Sequence, residues 1–154
     1  MFRIRNCRYS DIESICNIML STDPFKRLGY TRDMCIDAVI AGLEEGWIKV
    51  AEVDDEVVGF IIYRVFDGFP LGGYIRAIAV KEEFRGLGIG SKLMNVAEND
   101  IFKYRRNVFL LVSSFNKYAR RFYEKRGYEY VGEIKDAILP GESEIILRKR
   151  RLKL

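Results

Sequence analysis

The run Arg85-Gly86-Leu87-Gly88-Ile89-Gly90-Ser91 has the composition and spacing to hold a phosphate. Three glycines in five residues strip side chains from a turn, so consecutive backbone N–H groups can face one point. Just upstream, Tyr74 to Val80 reads as a strand. Just downstream, Ile89, Leu93, Val96, Ala97 and Ile101 recur at helical spacing. A helix that starts at the glycines adds its unpaired first-turn N–H groups and the positive end of its dipole. Strand, glycine turn and helix start together predict a site for a phosphorylated cofactor. The order of residues is neither G-x-G-x-x-G nor the Gly-Lys-Ser/Thr of a P-loop, since Gly90-Ser91-Lys92 puts the lysine last. Glycines at such a turn also serve as packing devices, so the turn alone leaves both readings open.

A second segment, Asn116-Lys117-Tyr118-Ala119-Arg120-Arg121-Phe122-Tyr123-Glu124-Lys125-Arg126-Gly127-Tyr128, narrows the choice. With it the chain resembles the GNAT superfamily of acetyl-CoA-dependent N-acetyltransferases. Arg85-x-x-Gly88-x-Gly90 is similar to that family's R/Q-x-x-G-x-G/A loop. The later run is similar to its N-x-x-A-x-x-x-Y-x-x-x-G-F element, with Tyr128 in place of Phe. The resemblance spans roughly residues 2 to 148 and is strongest from Tyr74 to Val131. It implies acetyl-CoA as co-substrate and direct acetyl transfer to a primary amine. It also implies an α/β fold (α+β by some schemes), with a mixed, strongly twisted sheet of six to seven strands and helices on both faces.

Site residues follow from the same resemblance. Main-chain groups of Ile78, Ala79 and Val80 would pair with the pantetheine arm, where the strand before the loop and the strand Val108 to Ser113 splay apart. Amides of Gly86, Leu87, Gly88, Ile89, Gly90 and Ser91 would cradle the pyrophosphate, with Arg85 adding positive charge. Asn116, Ala119 and Tyr123 would contact the cofactor from the following helix. Tyr123 is the expected catalytic acid, because expelled coenzyme A leaves a thiolate that a phenol within reach can protonate. The competing role for Tyr123 is packing of its helix on the sheet. Asn116 reads independently as a helix N-cap and Gly127 as a left-handed C-cap.

The general base has no clear reading. Many members of the resembling family carry a glutamate four residues ahead of the closing valine of that strand, and Arg76 stands there instead. A guanidinium cannot accept a proton. A water relay, or Asp23, Glu52 or Asp67 at the border of the cleft, would have to serve. Arg76 could instead recognise an anionic group on the acceptor.

The elements that must position these groups are legible in outline. Phe2 to Arg5 alternates as a strand, and Ser10-Asp11-Ile12-Glu13 reads as a capping box opening a helix with Ile12, Ile15, Cys16, Met19 and Leu20 on one face. Thr22-Asp23-Pro24-Phe25 breaks it, and Thr31 starts a second helix through about Glu45. Strands at Trp47 to Val53 and Val57 to Phe66 flank a hairpin at Asp54-Asp55-Glu56. Asp67 to Gly73 reads as a flexible connection. After the glycine turn and its helix come a strand at Val108 to Ser113, a helix at Asn116 to Arg126, and strands near Tyr128 to Ile134 and Glu144 to Arg148.

Composition sets outer limits. The 154 residues, 49% hydrophobic and 31% charged, are expected to form one domain, 1–154. There is no histidine, which excludes Ser-His-Asp and Cys-His catalysis. Cys7, Cys16 and Cys35 form no metal-ligand spacing, so no metal is expected and free thiols in a reducing cytoplasm are. Neither an apolar membrane span nor an apolar signal core is evident. The net charge of +4 suits capture of polyanionic coenzyme A. The basic run Arg148-Lys149-Arg150-Arg151-Leu152-Lys153 reads as a frayed, solvated terminus in preference to a nucleic-acid contact. Expected partners are acetyl-CoA and an amine acceptor, small molecule or protein, with a homodimer left open. Two other classes stay in view: a non-catalytic acyl-CoA-binding or sensor module, and a nucleotide- or nucleic-acid-associated protein.

Overall fold

In the computed structural model, which describes residues 1–152, seven strands form one mixed sheet flanked by four helices. The strands are β1 (Arg3–Asn6), β2 (Trp47–Val53), β3 (Glu56–Gly68), β4 (Gly72–Val80), β5 (Asn107–Ser113), β6 (Glu129–Lys135) and β7 (Ser143–Arg150). Their spatial order is β1-β2-β3-β4-β5-β7-β6. Every neighbouring pair is antiparallel except β4 and β5, which run parallel and are joined by a crossover through a helix, as parallel neighbours must be. The helices are α1 (Ile12–Ser21), α2 (Arg32–Glu44), α3 (Ile89–Phe102) and α4 (Lys117–Lys125).

Two apolar cores sit on opposite faces of the sheet. On one face Ile15, Cys16, Ile18 and Met19 of α1 and Cys35, Ala38 and Val39 of α2 cover Val50, Phe60 and Ile62. On the other, Ile89, Leu93, Met94, Ala97 and Ile101 of α3 and Tyr123 of α4 cover Ile61, Tyr63, Val108, Leu110 and Leu147. The central strand β3 therefore reads as a nearly continuous apolar run, because both of its faces are buried. Each large apolar side chain fully buried here contributes roughly 1.5–3 kcal/mol of transfer free energy, so these two layers fix the sheet rigidly under the site.

Three local expectations are corrected. No capping box forms between Ser10 and Glu13. A 3₁₀ turn at Tyr9–Asp11 leads into α1, and the Asp11 carboxylate accepts the Arg8 N–H at 2.8 Å. The same carboxylate is buried against Arg5, at 2.8 and 3.0 Å, and α1 begins beyond it with no side-chain cap. Glu13 turns outward to Arg32 instead. The expected flexible connection at Asp67 to Gly73 is a hairpin tip: β3 continues to Gly68, β4 starts at Gly72, and a tight turn at Phe69–Leu71 joins them. Its glycines serve close approach, since a Cβ on Gly72 would lie 2.2 Å from the Asn107 carbonyl oxygen. Finally, the basic terminus is not frayed through Arg151. Arg148, Lys149 and Arg150 belong to β7, Arg148 pairs with Glu129 at 2.6 Å, and the Arg151 N–H donates to the Arg106 carbonyl. Lys153 lies outside the described residues.

Candidate active site

The site is made by a break in the sheet. β4 and β5 are paired only from Gly73 and Val108 to Ile75 and Leu110. Beyond that point the ladder stops, although β4 runs on to Val80 and β5 to Ser113. A bulge accompanies the break. On the β3 side Tyr63 pairs with Ile75 and Ile62 with Ala77, so Arg76 is the extra residue. Residues two apart on a regular strand share a face. Here Ile75 packs into the α3 core and Ala77 into the α1–α2 core, so the bulge reverses the strand's alternation. It leaves one edge of Ile78 to Val80 without a neighbouring strand, while the other edge stays paired with Ile61, Phe60 and Gly59.

A groove of about 670 Å³ opens along that free edge. Its floor includes Ile78, Ala79 and Val80, and its rim Gly86, Gly88, Ile89, Gly90 and Ser91. Gly86 and Gly88 have φ of +78° and +85°, a left-handed backbone that L side chains rarely adopt. With that geometry the six N–H groups from Gly86 to Ser91 find no acceptor among the described residues. The first helical bond of α3 is Lys92 N–H to the Gly88 carbonyl, at 3.1 Å. A contiguous set of unsatisfied amides at a helix start fits an anionic pyrophosphate. Arg85 lines the groove with its Nε held by the Val80 carbonyl at 3.2 Å. Leu87 projects outward, 62% exposed, so only its backbone faces the turn. Lys26, from the segment after α1, adds a cation to the groove that the sequence reading did not single out.

A smaller cavity of about 190 Å³ lies on the β5 and β7 side. The two cavities share Asp23, Ile78, Asn116, Ala119 and Tyr123 in their walls. Asn116 caps α4 as expected, its side-chain oxygen accepting the Ala119 N–H at 3.2 Å. Gly127 closes the helix with φ of +98°. Tyr123, one helical turn beyond Ala119, is only 8% exposed and stands edge-on to Phe122 and Tyr128. Burial pushes its phenol well above the ordinary tyrosine range, with Arg126 pulling weakly the other way. The hydroxyl is therefore protonated throughout the physiological range and available as a donor at the junction.

The residues expected to border the cleft do not all do so. Glu52 is buried between Arg3 and Arg5, at 2.9 and 3.0 Å, and their guanidinium groups hold it below the usual carboxylate range. It lines neither cavity. Asp67 sits at the hairpin tip, paired with Arg64 at 2.7 Å, and lines neither. Asp23 lines both cavities, exposed, with Oδ1 accepting the Arg27 N–H at 3.1 Å. Arg76 projects into the smaller cavity with no carboxylate partner among the described residues. Tyr74 stands near it. Burial raises the Tyr74 phenol, Arg76 draws it down, and Tyr30 and Glu144 push it up.

The sequence reading placed Glu144 at the start of the last strand and not among the site residues. It is the second residue of β7, pairs with Ser113 of β5, and lines the smaller cavity while remaining buried. Its Oε2 accepts from the Ser113 hydroxyl at 2.7 Å. Only the β5–β7 register brings these residues together, and nothing local in Ser143-Glu144-Ile145-Ile146 announces it.

Comparison with known proteins agrees with this geometry. The model of the acetyltransferase (GNAT) family matches residues 12–128. An N-alpha-acetyltransferase of Sulfurisphaera tokodaii is 30% identical over 160 aligned positions, covering 95% of this chain and 91% of that protein. An uncharacterised N-acetyltransferase of Methanocaldococcus jannaschii is 38% identical over 104, covering 66% of this chain and 65% of its own length. Among solved structures, Ard1 of Thermoplasma volcanium superposes with a TM-score of 0.83 at 26% identity, covering 99% of each chain. The chain belongs to the GNAT family. It is an acyltransferase of the N-acetyltransferase kind, built on the mixed α/β sheet characteristic of its structural neighbours.

Proposed function

We propose that the protein transfers the acetyl group of acetyl-CoA directly to a primary amine, with the cofactor along the larger groove and the amine in the smaller cavity. The observation that carries this reading is the meeting of the two cavities at Tyr123. One cavity offers six unpaired amides and an unpaired strand edge, fitted to a pyrophosphate and an amide-bearing arm. The other offers a confined volume for the acceptor. Acceptor and thioester then approach at one buried phenol.

In this reading the amides of Gly86 to Ser91, Arg85 and Lys26 bind the phosphates. The free edge of Ile78 to Val80 orients the arm. The amine attacks the thioester carbonyl, the C–S bond breaks, and Tyr123 gives its proton to the leaving sulfur. The phenolate recovers a proton released by the acetylated nitrogen. Burial keeps the Tyr123 phenol protonated, so it is present as a hydrogen-bond donor to the sulfur as charge develops there. Similarity to the N-alpha-acetyltransferase of Sulfurisphaera tokodaii favours an α-amino group as acceptor. Arg76, in place of the family's acidic residue, is the one feature that favours a non-catalytic acyl-CoA-binding module instead.

A thiol-release assay with acetyl-CoA and a panel of peptide α-amines, lysine side chains and small amines decides between them. Release matched one-to-one by acetylated amine is the expected result. Tight acetyl-CoA binding without release for any amine would establish the non-catalytic module. Binding of ATP in competition with coenzyme A, and no acyl transfer, would establish a nucleotide-binding protein.

A further inference from the structure

We infer that Glu144 is the proton acceptor for the incoming amine, an assignment that rests on the acetyl-transfer reading above. Four carboxylates are buried among the described residues: Asp11, Glu52, Glu98 and Glu144. Three have cations. Asp11 lies 2.8 Å from Arg5, Glu52 lies 2.9 and 3.0 Å from Arg3 and Arg5, and Glu98 lies 2.9 Å from both Arg126 and Lys149. Glu144 has none within 4 Å among the described residues, and its one side-chain partner is the neutral hydroxyl of Ser113. A buried charge is costly unless it is paired. This chain pairs each of its other buried carboxylates, and it leaves unpaired the one that faces a cavity.

An ammonium group entering that cavity is the missing partner. The Ser113 hydroxyl holds Oε2 at 2.7 Å, which fixes the carboxylate and leaves Oε1 as the free acceptor. The other carboxylate bordering the cavity, Asp23, is solvent-exposed and already accepts the Arg27 N–H. The other titratable or charged groups facing this cavity are Tyr74 and Arg76 from β4, Tyr30 from the segment before α2, and Tyr123 from α4. The tyrosines Tyr74 and Tyr123 are raised by burial and stay protonated, and the guanidinium has no lone pair to offer.

The proton balance closes with these groups. The acceptor enters as R–NH3+ and transfers one proton to Glu144. The neutral nitrogen attacks the thioester carbon and forms the C–N bond. As the C–S bond breaks, the sulfur takes the Tyr123 proton, and the nitrogen's second proton restores the phenol. Glu144 then releases its proton to solvent. The products are the acetamide, the free thiol and one proton.

The test compares wild type with Glu144→Gln, which keeps the length of the side chain and an acceptor for Ser113. For an alkyl amine at neutral pH, kcat/KM should fall roughly 10²–10⁴-fold, the range for loss of a positioned base. Acetyl-CoA affinity should be unchanged. The deficit should shrink as pH rises towards the amine's own pKa, and it should shrink for a weakly basic acceptor such as methoxyamine, which arrives neutral. A purely structural role would lower the rate equally for both amines and at every pH. Glu144→Asp, tested alongside in case the Gln variant does not fold, should retain part of the activity, with a larger deficit for the alkyl amine than for methoxyamine. Wild-type turnover with Glu144→Gln equally active on both amines would overturn the assignment and leave the acetyltransferase reading standing. An absence of turnover in wild type with every amine would instead sink that reading, and this one with it.

Discussion

The two halves of the site are built from different materials. The half proposed for the cofactor is made of backbone: unpaired amides from Gly86 to Ser91 and the open edge of Ile78 to Val80. These backbone groups come from one stretch of chain, residues 78–91, joined in the groove by Lys26 and by residues of α4. The half proposed for the acceptor is made of side chains drawn from separate places, with Arg76 on β4, Tyr123 on α4, Glu144 on β7 and Asp23 after α1. Backbone recognition suits a ligand that does not change from one family member to another. The difference teaches that the groove with the glycine turn is encoded by local geometry, and the smaller cavity by long-range register.

The comparison can be broken most severely at Gly88. With acetyl-CoA at about 100 times its Kd, binding adds about 2.7 kcal/mol to stability, and the melting temperature should rise accordingly. Gly88→Glu places an L side chain at φ +85° and a negative charge beside the amides. It should erase the rise completely while the apo protein still unfolds cooperatively. A variant that folds and keeps the full shift would show that the turn is not the phosphate site.

An effect of similar size on stability, but none on cofactor binding, is expected from Asp11→Asn, which serves as a control away from both halves. Removing one member of a buried ion pair should cost roughly 3 kcal/mol and leave acetyl-CoA affinity intact. The pH dependence has a definite sign. Arg5 holds the Asp11 carboxyl below its usual range. Its contribution is therefore complete above the unfolded value near 3.9 and drains away as pH falls towards the folded value. Chemical denaturation between about pH 5 and 2 should show a steeper loss of stability in wild type than in Asp11→Asn. Equal slopes would mean that the pair is not formed in solution.

The smallest effect separates two glycines that look alike in the sequence. Gly90 does not have a positive φ, and a Cβ there would meet only the Phe122 ring at 3.8 Å and Val80 at 3.9 Å. Gly90→Ala should be neutral or stabilising by up to about 1 kcal/mol, because α3 gains a better helix former in its first turn. The cofactor-induced shift in melting temperature should persist. Gly88→Ala, by contrast, carries a strained backbone and should lose stability.

Legibility in the sequence followed the same division. The glycine turn, the Asn116 cap, the Gly127 cap and the approximate bounds of most strands and helices depend on neighbours within a few residues. Pattern and spacing reveal them. The bulge at Arg76 is invisible locally, because Tyr74 to Val80 looks like any buried strand. The basic run at Arg148 to Arg150 was misread because its charges hide the buried alternation of Ile145 and Leu147. Gly68, Gly72 and Gly73 read as flexibility, although they mark the closest backbone packing in the molecule's hairpin tip. Glu52 was a plausible border residue until Arg3 and Arg5 were seen to enclose it. Glu144 needed the β5–β7 register before it meant anything.

The central claim is that acetyl transfer happens where the two cavities meet, at Tyr123, and one substitution tests it most directly. Tyr123→Phe removes a hydroxyl and keeps the ring that packs against Phe122 and Tyr128. In single-turnover experiments that isolate the chemical step, the rate should fall roughly 10²–10⁴-fold, with acetyl-CoA affinity unchanged. The loss should diminish with an acyl donor whose leaving thiol is more acidic. In wild type the rate should not decline as pH passes 10, because burial keeps this phenol protonated above the ordinary tyrosine range. An unchanged single-turnover rate in Tyr123→Phe, with the natural donor, would contradict the account.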